Sequence, residues 1–266
     1  MVGPVSLYPT DFADERSRLS YYWSRLSALD VPVPETEFVA LEETDDAHGY
    51  AWDTDAILAF MADHDLDRAF VRTERKAATV RLREGSFVSE PTPEVVDDVV
   101  SSLLSQNDAQ WWPHGGGLVV REWLDLAFCP HPTHGCRPSV RFFVDDGAVL
   151  GQTPASPNRS FTCGDHYDYL AERLDGVSFD RPRAYAERIA PAFPEATWAV
   201  DFDMATDGTW YCTEFNFNGV YWNRHEERWW NMAGQGDNLP FSPVEMHSAA
   251  LWGVRPEKSG PAGRFW

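Results

Sequence analysis

The chain has 266 residues, 43% of them hydrophobic, which is enough to bury a sizeable core in one domain or two small lobes and too apolar for a disordered tail. It contains no run of about eighteen apolar residues, and Met1 to Trp23 lacks a basic stretch followed by an apolar one, so a membrane span and a secretory leader are both disfavoured and a cytoplasmic location is expected. Forty-two acids against 22 bases give a net charge of −20, and such a shell repels phosphate backbones and argues against broad nucleic-acid binding.

Asp14 to Leu29 places Leu19, Tyr22, Trp23, Leu26 and Leu29 at helical spacing and reads as an amphipathic helix. Val31-Pro32-Val33-Pro34 ends it and leads into an extended segment from Glu37 to Leu41. A second helix is expected from Asp53 or Thr54 through Ile57, Leu58 and Met61, followed by strands at Arg68 to Arg72 and Thr79 to Leu82. Thr92-Pro93-Glu94 supplies an N-cap, a proline at the first helical position and an acid in the first turn. The helix it opens buries Val95, Val96, Val99, Val100, Leu103 and Leu104. Leu118 to Leu124 reads as a buried strand after Gly115-Gly116-Gly117, a run that serves as a tight connection or, with His114, as a phosphate-approach loop. Helical stretches are expected near Tyr167 to Leu174 and Tyr185 to Phe193. The order is α+β with antiparallel sheets rather than a βαβ alternation.

Two hairpins stand out, each turning on Asp-Gly between alternating runs: 140–144 with 148–150 about Asp146-Gly147, and 198–205 with 209–216 about Asp207-Gly208. With Asp207 and Gly208 as a two-residue loop, Asp201 lies opposite Glu214 and Asp203 opposite Cys212. Alternation then puts Asp201, Asp203, Cys212, Glu214 and Asn216 on one face, with Trp198, Val200, Phe202 and Met204 on the core face. Facing carboxylates destabilise a sheet, and a hard divalent cation removes the penalty; a solvated charged face is the alternative.

Val200-Asp201-Phe202 followed by Glu214-Phe215-Asn216 resembles the metal signature of the ATP-grasp superfamily. Three further pieces, in order, are similar to that family: Phe70-Val71-Arg72-Thr73, Leu118-Val119-Val120-Arg121-Glu122-Trp123-Leu124, and Arg141-Phe142-Phe143-Val144-Asp145-Asp146-Gly147. The resemblance covers about residues 69–218. It implies a fold of two α/β lobes with antiparallel sheets clasping a nucleotide: a short leading segment 1–65, a small lobe 66–117 and a large lobe 118–266. It implies that Asp201, Glu214 and Asn216 hold Mg²⁺, with Mn²⁺ as a substitute. Arg72, standing where lysine is usual, and Lys76 would contact the ATP phosphates. The backbone from Glu122 through Trp123 to Leu124 would line adenine, Asp125 would approach the ribose, and Arg141 would face the transferred phosphate. The activity implied is ATP-dependent activation of a carboxylate as an acyl phosphate for attack by an amine, on a small-molecule or peptide substrate. A phosphotransferase or RNA-end ligase on the same site, or an inactive nucleotide- and metal-binding protein, are the alternatives.

The chain departs from the family in its short leading segment and in having only Gly85-Ser86 as a glycine-bearing candidate for a phosphate loop between Arg72 and Phe87. Neither lysine, Lys76 or Lys258, opens the Lys-x-Asp-Gly motif of a lysine-adenylate ligase. Asn218 and Arg224, just after the metal strand, are candidate substrate ligands, and Tyr221, Trp222, Trp229 and Trp230 read as packing residues. Cys129, His131, His134 and Cys136 form either a tight Zn²⁺ loop or a plain loop with buried cysteines.

Two lysines against twenty arginines, with 24 aspartates and 18 glutamates, fit either a salt-adapted cytoplasm or a GC-rich genome. Salt adaptation makes a specific claim: screening relieves self-repulsion, so lowering KCl from molar to about 0.1 M should lower the melting temperature. A melting temperature flat across that range, read by calorimetry, rejects it.

Overall fold

The computed structural model describes residues 15–44, 49–75, 82–109, 114, 116–127, 139–154, 180–196, 198–217, 221–223 and 228–230. The chain divides into two units, one of Met1–Asp11, Arg25–Val33 and Asp125–Trp266, the other of Phe12–Ser24 and Pro34–Leu124. Boundaries read from sequence at 65/66 and 117/118 both fall within the second unit. The cause is long-range strand pairing, which places the segment before residue 66 and the strand after residue 117 in one sheet.

That sheet joins β1 (Thr36–Glu43), β2 (Tyr50–Trp52), β3 (Ala69–Thr73), β4 (Phe87–Val88) and β5 (Gly117–Glu122) in the order β2-β1-β5-β3-β4, with every neighbour antiparallel. Helices α2 (Thr54–Asp63) and α4 (Pro93–Ala109) cover one face. Val39 and Leu41 of β1, Val71 of β3, and Leu118 and Val120 of β5 meet Ile57, Met61, Val100 and Leu103 there. Both helices begin as their caps dictate. The Asp53 carboxylate accepts from Ala56 N at 3.0 Å, and the Thr92 hydroxyl accepts from Val95 N at 3.4 Å. Helix α1 (Leu19–Ser27) lies within the expected 14–29 stretch and buries Leu19, Tyr22 and Leu26.

The expected strand at 79–82 is corrected at its end: Leu82 opens a short helix, α3 (Leu82–Ser86), and the strand that follows is β4; residues 79–81 lie outside the described residues. Gly85 and Ser86 therefore sit inside a helix, buried, and not in a loop that could cradle phosphate.

The first unit is built on a four-stranded antiparallel sheet, β7-β6-β8-β9, from β6 (Ser139–Asp145), β7 (Ala148–Pro154), β8 (Trp198–Met204) and β9 (Trp210–Phe217). The β6–β7 turn is the expected two-residue one, with φ of 48° at Asp146 and 74° at Gly147. Helix α5 (Asp180–Ile189) and the turn after it pack on the face carrying Phe142, Trp198, Phe202 and Phe215. Phe193 meets Trp198 at 5.8 Å and Phe215 at 4.7 Å, and Tyr185 stacks on Phe202 at 6.1 Å. A separate ribbon pairs β10 (Tyr221–Asn223) with β11 (Arg228–Trp230), setting Tyr221 opposite Trp230 and Trp222 opposite Trp229. The helical stretch expected at 167–174 lies outside the described residues. None of the described helices is long and apolar enough to cross a membrane.

The glycine run before β5 has a structural purpose. Glu74, only 5% exposed, accepts from Arg18 Nε and Nη2, both at 2.9 Å, and from the Ser20 hydroxyl. A Cβ on Gly117 would lie 2.6 Å from Glu74 Oε1, so the carboxylate reaches its partners only because residue 117 has no side chain. Gly117→Ala should therefore lower unfolding stability by about 1–3 kcal/mol in chemical denaturation, because relieving the clash pulls Glu74 off Arg18. An unchanged denaturation midpoint refutes that account.

Candidate functional site

The candidate site lies on the β8–β9 hairpin and depends on how that hairpin closes. Its loop has three residues, not two. Ala205 N donates to Thr209 O at 2.8 Å and Gly208 N to Ala205 O at 3.0 Å, with Gly208 at φ 85°, a three-residue turn ending in a left-handed glycine. Pairing then runs Met204 with Trp210, Asp203 with Tyr211 and Phe202 with Cys212, before a bulge lets Asp201 meet Glu214. Thr213 is the extra residue.

The expected facing carboxylates are therefore present, while the expected pairing of Asp203 with Cys212 is corrected. The chemistry of residues 212 and 213 explains the choice. Regular pairing from a two-residue loop would set Thr213 opposite Phe202 in the apolar core and the Cys212 thiol among the carboxylates. The three-residue loop instead buries Cys212 opposite Phe202, and the bulge beyond it leaves the Thr213 hydroxyl to donate to Asp203 Oδ2 at 2.6 Å.

Arg141 completes the rung from the other side. On β6 it pairs with Asp201, and its Nε and Nη2 donate to Asp201 Oδ1 and Oδ2, both at 2.6 Å. The rung reads Arg141, Asp201, Glu214 across three strands. The like-charge penalty between the two acids is thus met in part by a bidentate guanidinium, which the sequence reading had left to a cation.

Burial pushes the Asp201 carboxyl up to about 6; Arg141 opposes the rise, and Glu214 and Asp203 add to it. For Arg141, burial works against the charged form, but Asp201 outweighs it together with Glu214 and Asp203, so the guanidinium is held above its ordinary value. The two shifts differ in cause: burial raises Asp201, and the neighbouring carboxylates raise Arg141. The described residues of this face set three carboxylates around one guanidinium.

The donor set suits a hard divalent cation. It consists of carboxylate oxygens on rigid strands, with Asp201 5% and Asp203 2% exposed, and it carries more negative than positive charge. Among the described residues there is nonetheless no group of three or more His, Cys, Asp or Glu side chains gathered closely enough to hold an ion unaided. Asp201 and Glu214 face each other there, and the backbone of Asn216 lies one rung on, opposite Ala199.

Other candidates are placed less suggestively. Arg72 of β3 is buried on the sheet face away from α2 and α4, with Nε on Thr73 O at 3.1 Å and Nη2 on Arg75 O at 3.0 Å. Glu122 N donates to Glu35 O at 2.9 Å, and the Glu122 carboxylate accepts from Glu35 N at 3.3 Å. Trp123 packs on Phe87 at 4.3 Å, and Leu124 ends its unit. Asp125 is exposed, and its carbonyl accepts from Thr206 N at 2.8 Å. His114 is a buried structural residue, 2.7 Å from Asp108 and edge-on to Tyr50 at 4.7 Å. Lys76, the Cys129–Cys136 loop, Asn218 and Arg224 lie outside the described residues.

Sequence reasoning put Asp203 on this face without assigning it a role, and it missed Thr213 and Ser139. Sorting Cys212 into the core and Thr213 out of it would have exposed the bulge. Alternation from Arg141 would have placed Ser139 on the same face.

The fold is α+β. Solved structures like it include D-alanyl-alanine synthetase A from Vibrio cholerae, with 13% identity over 77% of this chain and 56% of that one and a TM-score of 0.43. The ATP-grasp ligase PsnB complexed with a minimal precursor matches with 13% identity over 83% of this chain and 58% of that one, TM-score 0.42. Cdc123 from Schizosaccharomyces pombe matches with 14% identity over 88% of this chain and 92% of that one, TM-score 0.47. This chain thus spans little more than half the length of the synthetase and of PsnB. No family model and no curated protein matches the sequence.

The raised Asp201 carboxyl sets a pH dependence. Between about pH 4 and 6 the folded protein holds a proton that the unfolded chain has already lost, so stability falls as pH rises through that window. The difference amounts to about 2–3 kcal/mol. Asp201→Asn should remove that part of the slope in denaturant titrations, and carboxyl NMR should show Asp201 titrating near 6. A midpoint near 4 defeats the assignment.

Proposed function

We propose that this chain is an ATP-grasp-type ligase that uses ATP and Mg²⁺ to activate a carboxylate as an acyl phosphate for attack by an amine. The observation that carries the reading is the rung on which a partly buried guanidinium and two facing carboxylates share one sheet face. Phosphoryl transfer needs charge neutralisation and positioning more than a nucleophile from the protein, and this rung can serve both.

In the proposed reaction a substrate carboxylate oxygen attacks the γ-phosphorus of ATP, and the bond to the ADP oxygen breaks. The amine then attacks the acyl carbon, phosphate leaves with the electrons of the C–O bond, and the amine gives up a proton. Asp201 and Glu214, with Asn216 next along β9, would hold Mg²⁺, whose charge offsets that of the phosphates. Arg141 is anchored through Nε and Nη2 and would offer Nη1 to the phosphate in flight. Glu122 to Asp125 and Arg72 with Lys76 are the candidate nucleotide contacts, and Asn218 and Arg224 the candidate substrate contacts. The proposed substrate is a small molecule or peptide in the cytoplasm.

A second reading, nucleotide binding without turnover, is favoured by one observation: the two Arg72 donors that a phosphate would use are bonded to backbone carbonyls.

Calorimetry in high salt should show Mg²⁺-dependent ATP binding that Glu214→Gln weakens about tenfold or more, since the substitution removes a full charge beside the ion. ADP release only on adding an acceptor supports the ligase, and binding with no release under any acceptor supports the second reading. Absence of ATP binding in the wild type rejects both.

A further inference from the structure

Resting on the reading of Arg72 as a nucleotide contact, we propose that Ser17, Arg18 and Ser20, at the entry to α1, are positioning residues for Arg72. They hold the backbone of residues 73–75 so that the Arg72 guanidinium presents its Nη1 edge to a phosphate. None of the three needs to touch the nucleotide, and all of them belong with Arg72 to the second unit.

The chain of contacts starts at the guanidinium. Arg72 donates through Nε to Thr73 O at 3.1 Å and through Nη2 to Arg75 O at 3.0 Å, which leaves Nη1 as its remaining donor group. A guanidinium carries its donors in a rigid planar fork, so two bonds to fixed acceptors set the direction of the third nitrogen. Both acceptors lie where β3 ends, and a strand end held by its sheet alone frays. Here the chain between them is tied on every side. Glu74 N donates to Gly117 O, and Leu19 N donates to Glu74 O, both at 3.0 Å. The Glu74 carboxylate accepts from Arg18 Nε and Nη2, each at 2.9 Å, and from the Ser20 hydroxyl. Arg75 Nη1 donates to the Ser17 hydroxyl, and Arg75 Nη2 lies 3.6 Å from Glu15 Oε1. The two carbonyls that aim Arg72 therefore flank a residue fixed at backbone and side chain to the entry of α1.

Two features separate this arrangement from ordinary packing. Closing a strand end does not require a buried acid, and burying one is costly unless it is paired, yet Glu74 is only 5% exposed. The sheet accommodates that acid by leaving residue 117 without a side chain, since a Cβ there would lie 2.6 Å from Glu74 Oε1. The second feature is the burial of Arg72 itself. Its guanidinium has little room to sample other directions, and each bond to a carbonyl offsets the loss of water around a buried charge.

The test joins two readouts on the full chain: exchange of the Arg72 Nε–H proton, followed by ¹H–¹⁵N NMR without nucleotide, and Mg²⁺-ATP affinity by calorimetry in high salt. In the wild type that proton should exchange slowly. Glu74→Gln keeps the shape and removes the charge that holds Arg18, and Ser17→Ala removes the anchor of Arg75. Both should speed the exchange. ATP binding should weaken about tenfold in the first and about threefold in the second, a tenfold loss meaning that Arg72 keeps its bonded orientation about a tenth of the time. A purely structural contact would lower the melting temperature and leave the Arg72 proton as protected as before. Should Glu74→Gln fail to fold, Ser17→Ala decides by itself, because Ser17 is half-buried and lies outside the apolar core. Wild-type exchange in both variants, or faster exchange with no loss of ATP affinity, overturns this inference and leaves the nucleotide reading standing. No ATP binding by the wild type overturns both.

Discussion

A guanidinium and a carboxylate joined by two short hydrogen bonds inside a protein are costly to bury and more costly to separate. Removing one partner of such a pair typically destabilises by about 3–5 kcal/mol, because the other charge is left behind. In this chain the pair is Arg141 and Asp201, and it locks β6 to β8 in a single register. Everything on the polar face is arranged about that lock. It puts Glu214 next to Asp201, Ser139 next to Asp203, and the aromatic residues of the opposite face against α5. Strand slippage by one residue would turn the whole polar set into the aromatic layer.

Local rules were legible in the sequence, and so was the pairing of the two acids. The Asp53 and Thr92 caps, the Asp146-Gly147 turn and the opposition of Asp201 to Glu214 all follow from residues close together in the chain or from simple alternation. The last is reached by a route that the dipeptide rule does not anticipate. The loop takes one residue more than Asp-Gly suggests, and Thr213 is expelled from the ladder to restore the pairing. Competition between a thiol and a hydroxyl for the core decides this, and a turn motif carries no information about such sorting. Arg141 finding Asp201 depends on pairing between strands 60 residues apart, which no local pattern encodes.

Glycines and arginines in the second unit show the same limit from another direction. A run of three glycines invites a reading as a turn or a phosphate loop. Its last member instead leaves room for the buried Glu74 carboxylate, whose partner Arg18 lies just before α1. Arg72 stands where a phosphate contact is expected by motif, yet its guanidinium folds back onto the carbonyls of Thr73 and Arg75. Motif position fixed its strand and its face. Its hydrogen bonds are set by the chain that immediately follows.

The length of the β8–β9 loop also governs which kinds of metal the polar face can discriminate. A two-residue loop would have left the Cys212 sulfur among the carboxylates, and thiolate mixed with oxygen donors attracts zinc, cadmium and copper(I) more strongly than magnesium. The third loop residue turns that sulfur toward Phe202, the bulge beyond it raises the Thr213 hydroxyl, and the face stays chemically hard. Thiophilic ions are thereby denied a foothold beside Asp203.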